Sequence, residues 1–176
     1  MKMGLNYGLF MIITMALLHL NQTFTMFIAF IIALIWSIYM LYYFVMIEKE
    51  WNWFFSSTLT WALIGIYYIV RLEPNQLYIT QDFIAGTLLS FSFMVNSIAS
   101  MISPRPFTTL FNQEGSIKVH HIGTVLWIIF IFLNFLFSIY LQQQSYSSLS
   151  ILVMINIFIG IFIIKRWLKQ QNFGHN

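Results

Sequence analysis

Six apolar runs, separated by short polar breaks, dominate this sequence. They cover residues 5–20, 24–47, 53–70, 83–102, 122–141 and 149–164. A helix needs roughly 20 apolar residues to cross the hydrocarbon core of a bilayer, and most of these runs reach or approach that length. Strands of soluble domains are much shorter, at about 5–6 residues. The runs therefore predict an all-α, polytopic membrane protein with six transmembrane helices in one transmembrane domain, residues 1–176.

The composition agrees with this class. Of 176 residues, 60% are hydrophobic and 7% are charged, whereas a soluble domain carries roughly 25% charged residues. The first and last runs are the shortest, and a helix of that length covers only about 24 Å. The first run lacks a small-x-small cleavage site, so we expect a retained helix rather than a signal peptide. The chain contains no cysteine, which excludes disulfides and thiol catalysis.

The basic residues predict the orientation. Six crossings return the chain to the side on which it began, and seven of the eight Lys and Arg residues then share that side. They are Lys2, Lys49, Arg105, Lys118, Lys165, Arg166 and Lys169, while Arg71 alone lies on the other side. The positive-inside rule predicts that both termini lie in the cytoplasm. A five-helix alternative, with the first run on the membrane surface, would separate Lys2 from the other cations.

Residues 103–121 form the longest predicted cytoplasmic loop, between the fourth and fifth helices. Pro106 suits the start of a helix, Phe107, Leu110 and Phe111 follow helical spacing, and Gly115 suits its end. These signals predict a short interfacial helix. The loop residues Arg105, Pro106, Phe107, Lys118, His120 and His121 are therefore candidate contacts, either with lipid headgroups or with a partner protein.

Polar residues inside the runs form a second set of candidates. Asn96, Asn134 and Asn156 occupy the fourth, fifth and sixth runs at similar predicted depth, so they could meet. Ser92 and Ser100 share a small-residue face with Asn96. Two interpretations stay open: hydrogen bonds between helices, or a polar pocket for a small ligand or a lipid headgroup. Charge is absent from the middle of the runs, which argues against a proton pump or a voltage sensor.

The sequence predicts no catalytic residue, cofactor or metal site. His19 lies near the face opposite to His120 and His121, so these histidines cannot share a haem. Arg71, Glu73 and Asp82 form a predicted outer-face polar cluster, which helix ends alone would explain. No nucleophile elbow or phosphate-binding glycine loop occurs. Nucleic acid is not an expected partner, because the basic residues are dispersed along one membrane face.

The second half of the chain resembles a known family. The stretches "DFIAGTLLSFSFMVNSIAS", "SPRPFTTLF", "VLWIIFIFLNFLFSIYL" and "IIKRWLK", within residues 82–169, are similar to the intracellular septation protein A type of small bacterial inner-membrane protein. That resemblance implies a non-enzymatic envelope protein that acts in division, cell-wall machinery or membrane homeostasis through contacts with other membrane proteins.

Two other functions are open alternatives. The first is a solute-binding membrane subunit similar to those of vitamin importers, which would meet its partner through the small-residue pattern of Ala29 and Ala33. The second is a lipid-modifying enzyme that uses Arg71, Glu73 and Asp82, or the inner histidines and glutamates. The expected partners are the lipid bilayer and other membrane proteins.

Overall fold

A computed structural model describes residues 23–71, 86–111, 115–143 and 149–173 of the chain. Within these ranges the protein consists of helices and connecting turns, without a strand, so the all-α prediction is confirmed. The helices are α1 (Thr23–Tyr43), α2 (Trp53–Arg71), α3 (Leu88–Ser100), α4 (Ile117–Gln143) and α5 (Leu149–Phe173). They correspond to the second to sixth apolar runs, whereas the first run lies outside the described residues.

The connection from α1 to α2 is set by local backbone chemistry. α1 continues into a wider turn at Phe44–Glu48, and Lys49 then adopts the left-handed conformation with φ of 56°. The Glu50 N–H donates to the Phe44 carbonyl at 3.2 Å, which closes this turn. Asn52 caps α2, because its Oδ1 accepts from the backbone N–H groups of Phe54 and Phe55 at 3.1 and 3.3 Å. The chain therefore reverses within a few residues.

Each helix packs against the next one along the chain, from α1 to α5. Glycines allow two of these pairs to approach closely. A Cβ atom at Gly65 of α2 would overlap the ring of Phe30 on α1, 2.5 Å from its Cζ, and one at Gly160 of α5 would lie 2.6 Å from Cδ1 of Phe130 on α4. Small residues at helix contacts are typical of membrane bundles, where attraction depends on close packing.

The last two helices are longer than their apolar runs. α4 begins at Ile117, so His120 and His121 belong to its first turns. α5 continues to Phe173 and carries Lys165, Arg166 and Lys169 on the helix. Its 25 residues span about 37 Å. The helix is therefore longer than the predicted run of residues 149–164, because its polar final turns stay helical.

Six of the basic residues lie at one end of the bundle, which we call the basic end: Lys49, Arg105, Lys118, Lys165, Arg166 and Lys169. Arg105 forms an ion pair with Glu50, which joins the α1–α2 and α3–α4 connections. Gly123, near the start of α4, lies against Leu168, near the end of α5. Arg71 lies at the opposite end, where α2 stops. Lys2 is outside the described residues.

The outer surface is strongly apolar. Aromatic and aliphatic side chains point away from the bundle on every helix, with Phe24 of α1 72% exposed and Phe162 of α5 67% exposed. Within the described ranges, three helical segments are long and apolar enough to cross a membrane: Phe24–Glu48, Trp53–Arg71 and Ile117–Leu141. Apolar area of this extent indicates a membrane-embedded protein.

Candidate functional site

Asn134 and Asn156 meet between α4 and α5. The Asn156 Nδ2 donates to the Asn134 Oδ1 at 3.2 Å. The Asn134 Nδ2 donates to the Ser90 Oγ of α3 at 3.3 Å and to the Val153 carbonyl of α5 at 3.4 Å. Asn134 is buried, and both hydrogens and the oxygen of its amide are used. This residue therefore joins three helices.

Asn96 does not join this pair but faces α2. Its Oδ1 accepts from the Ser56 hydroxyl at 2.6 Å. Its Nδ2 donates to the Thr60 Oγ1 at 3.2 Å and to the Ser92 carbonyl at 2.9 Å. Sequence reasoning missed Ser56 and Thr60, although their spacing of four residues places them on one helix face. The three asparagines thus belong to two separate interhelical contacts.

The two serines predicted beside Asn96 are also satisfied within the protein. The Ser92 hydroxyl donates to the Leu88 carbonyl of its own helix at 2.9 Å. The Ser100 hydroxyl donates to the Ser97 carbonyl at 2.7 Å and accepts from the Phe107 N–H at 2.9 Å. Both residues are buried. Ser100 therefore fixes the point at which the following loop returns to the bundle.

The loop after α3 inserts into the bundle instead of lying along its surface. Its only regular turn in the described residues is a 3₁₀ helix at Phe107–Leu110. The Phe107 ring is fully buried and stacks on Trp127 of α4, with 5.5 Å between ring centroids and 11° between planes. Phe93 and Phe111 pack edge-on to Phe107 at 6.0 and 5.6 Å. The predicted amphipathic helix is thus one turn long, because its aromatic residues point inward.

Threonine hydroxyls satisfy the inserted backbone. The Thr108 hydroxyl donates to the His120 carbonyl at 2.7 Å, and the Thr108 N–H donates to the Thr124 Oγ1 at 3.3 Å. The two hydroxyl oxygens are 3.0 Å apart. Because the Thr108 hydrogen is used on His120, Thr124 must donate in this contact. Buried backbone groups need such partners, so the hydrogen bonds of Thr108 and Thr124 reduce the free-energy cost of burying this loop.

The predicted loop contacts divide into buried and exposed residues. Pro106, Phe107 and His120 are buried. Arg105 and Lys118 are exposed and His121 is partly exposed. Arg105 pairs with Glu50, and its carbonyl accepts from the Trp53 indole N–H at 3.1 Å. A contact between Arg105 and a lipid headgroup, as predicted from the sequence, would therefore compete with the ion pair to Glu50.

The outer-face cluster is described only in part. Arg71 is exposed, and its guanidinium carbon lies 5.8 Å from the centroid of the Tyr67 ring. Such a cation–π contact at an exposed position contributes about 0.5–1 kcal/mol. Glu73 and Asp82 lie outside the described residues. The contact that positions the Arg71 side chain therefore comes from Tyr67, one turn earlier in the same helix.

The small-residue pattern proposed for a partner contact is used within the chain. Ala29 and Ala33 of α1 are fully buried, in the same apolar cluster as Trp61 and Ala62 of α2. They therefore offer no free face for another subunit.

The polar side chains described above form hydrogen bonds with one another and with the backbone. Six of the serine and threonine hydroxyls donate to carbonyl, hydroxyl or amide oxygens, so none of these contacts pairs a nucleophile with a base. They belong to Ser56, Thr60, Ser92, Ser100, Thr108 and Thr124. In the part of the chain that the structure describes, no three His, Asp or Glu side chains gather to hold a metal ion. Comparisons with protein-family models, with curated proteins and with solved structures found no match to this chain.

Proposed function

We propose that this chain is a six-helix protein of a bacterial inner membrane, with both termini in the cytoplasm, that acts without catalysis through contacts with other membrane proteins. The process it serves is division, envelope maintenance or membrane homeostasis. The resemblance of residues 82–169 to the septation protein A type supports this choice of process.

The proposal that the protein acts without catalysis is supported by one observation: its buried polar side chains form hydrogen bonds within the protein. Asn96 and Asn134, the two buried asparagines of the predicted pocket, use both amide hydrogens and the oxygen in hydrogen bonds within the protein. A ligand pocket needs convergent polar groups that are free to bind the ligand. Hydrogen bonds between helices, in contrast, explain every polar contact of these two residues except the bond from Asn96 to the Ser92 carbonyl of its own helix.

The contact surface that we propose lies at the basic end. Large apolar side chains are exposed there beside the charged loops: Ile47, Trp51 and Ile102, the last with 92% of its surface exposed. Arg105 and Glu50, which are close to them in sequence, form an ion pair. Exposed aromatic and aliphatic residues with charged neighbours are typical of protein interfaces. A membrane protein with a complementary cytoplasmic edge would cover this surface.

Site-specific photocrosslinking in cells tests this proposal. A photoreactive amino acid at Ile102 should give discrete crosslinked products that contain another membrane protein. The same amino acid at Phe24, which is 72% exposed at the opposite end, is the matched control. Products of equal yield and pattern from both positions, or no protein product at Ile102, would contradict the proposed contact.

A second measurement separates this proposal from the solute-binding alternative. Native mass spectrometry of the detergent-extracted protein should show no stoichiometric small solute. A solute bound to the wild type, and lost from a folded Asn96→Leu, Asn134→Leu, Asn156→Leu variant, would favour the solute-binding subunit instead.

A further inference from the structure

The α4–α5 pair presents four exposed cations at the basic end, namely Lys118, Lys165, Arg166 and Lys169. Lys118 lies in the first turn of α4, and Lys165 and Arg166 lie in the later turns of α5. These three side chains are exposed, and no described residue forms an ion pair with them. Arg105 differs, because Glu50 already neutralises its charge. A local excess of three positive charges therefore faces outward on this pair of helices.

The packing of the two helices places these cations near one another at the basic end. Gly123 lies against Leu168, since a Cβ atom at Gly123 would be 3.1 Å from the Leu168 Cδ2. Further along, Gly160 lies against Phe130, so the helices are antiparallel. Lys118 lies five residues before Gly123 and Arg166 lies two residues before Leu168, so the two cations are about 10 Å apart along the bundle axis. Long lysine and arginine side chains can cover the remaining separation.

An apolar surface continues from the same cations toward the middle of the bundle. On α4, Ile122 and Ile129 are exposed and share a helix face with Lys118. On α5, Ile159 and Ile163 are exposed and share a face with Arg166. α3 contacts the other side of α4, through Ser97 with Trp127 and Ser90 with Asn134. The outer side of the pair thus combines a charged end with an apolar length.

We propose that this outer side, which we call the α4–α5 lipid face, binds an anionic phospholipid. The headgroup phosphate lies between Lys118 and Arg166, with Lys165 next to Arg166 on the flank of α5, and an acyl chain lies along the isoleucines of both helices. Positive charge alone would also suit a free phosphate, but the adjoining isoleucines fit only a ligand with a long apolar part. The inference needs the bundle to lie in a membrane and does not depend on the partner contact at Ile102.

Lipid retention by the full chain in detergent tests this inference. Phosphatidylglycerol and phosphatidylcholine with identical acyl chains are added to the purified protein, and bound lipids are counted by native mass spectrometry. The wild type should retain phosphatidylglycerol in preference. In a variant with Lys118→Gln, Lys165→Gln and Arg166→Gln, the apparent affinity for phosphatidylglycerol should fall by about tenfold or more, because each basic residue near the surface strengthens anionic-lipid binding.

A charge-matched control separates this site from general attraction. The variant with Lys49→Gln, Arg71→Gln and Arg105→Gln also loses three positive charges and should keep the preference. All six residues are exposed, so both variants should fold, and their thermal unfolding temperatures verify this. Equal loss in the two variants, no loss in the first variant, or equally tight binding of glycerol phosphate without acyl chains would overturn the inference. Unchanged crosslinking at Ile102 in the first variant would show that the two proposals are independent.

Discussion

Replacing Phe107 by alanine tests whether the loop after α3 is a structural part of the bundle. The Phe107 ring is fully buried and contacts the rings of Trp127, Phe93 and Phe111. In a membrane, apolar side chains gain little from leaving lipid, so close packing determines the loss. Three aromatic pairs, each contributing about 0.5–1.5 kcal/mol beyond area burial, correspond to roughly 1.5–4.5 kcal/mol of the free energy of unfolding.

Leu110 provides the matched control for this substitution. It lies in the same 3₁₀ turn but is 36% exposed. Leu110→Ala should cost less than about 1 kcal/mol, because surface substitutions rarely cost more. Phe107→Leu should fall between the two, since leucine retains most of the volume without the stacking. The free energies are measured in detergent micelles by denaturant titration, with tryptophan fluorescence as the signal.

The refuting result is an equal, small effect of Phe107→Ala and Leu110→Ala. It would mean that the loop lies on the membrane surface, as the sequence pattern alone predicted, and that Phe107 contributes little to packing.

Two further substitutions test the helix contacts and the loop ion pair. Gly65→Ala should lower the free energy of unfolding by about 1–3 kcal/mol, because the added methyl group overlaps the buried Phe30 ring. Gly123→Ala should cost less, because its nearest neighbour is a flexible leucine methyl at 3.1 Å. Thermal unfolding of both variants in detergent tests this difference, and equal melting temperatures would contradict it. Glu50→Gln should change the free energy of unfolding by at most about 1 kcal/mol, because the Arg105 and Glu50 side chains are 55% and 33% exposed and solvent screens such a pair. A much larger loss in the same assay would show that the ion pair is shielded from water.

The approximate positions of the helices could be predicted, because each described helix coincides with an apolar run of the sequence. The helix from residue 53 begins at the predicted start. The end of α5 could not be predicted from hydropathy, since Lys165, Arg166 and Lys169 stop the apolar run but not the helix. Straight-chain basic residues are good helix formers, so backbone hydrogen bonding continues through them.

The polar contacts could be predicted only in part. Depth along the helix axis follows from sequence position, and it placed Asn134 and Asn156 at a similar level, where they form a hydrogen bond. The rotation of each helix does not follow from depth, so the sequence did not reveal that Asn96 faces Ser56 and Thr60 of α2. The insertion of Phe107 was also missed, because its spacing fits a surface helix as well as a buried turn.

The most direct test of the account is the side of the membrane on which the basic end lies. The chain has no cysteine, so a single introduced cysteine is the only thiol that can react. Ser116→Cys and Gln170→Cys place exposed thiols at the basic end, and Phe24→Cys places one at the opposite end. With a membrane-impermeant thiol reagent on intact cells, we expect Phe24→Cys to be labelled and the other two to react only after permeabilisation. Labelling of Ser116→Cys and Gln170→Cys from outside would contradict the cytoplasmic placement of the basic end and the functions derived from it.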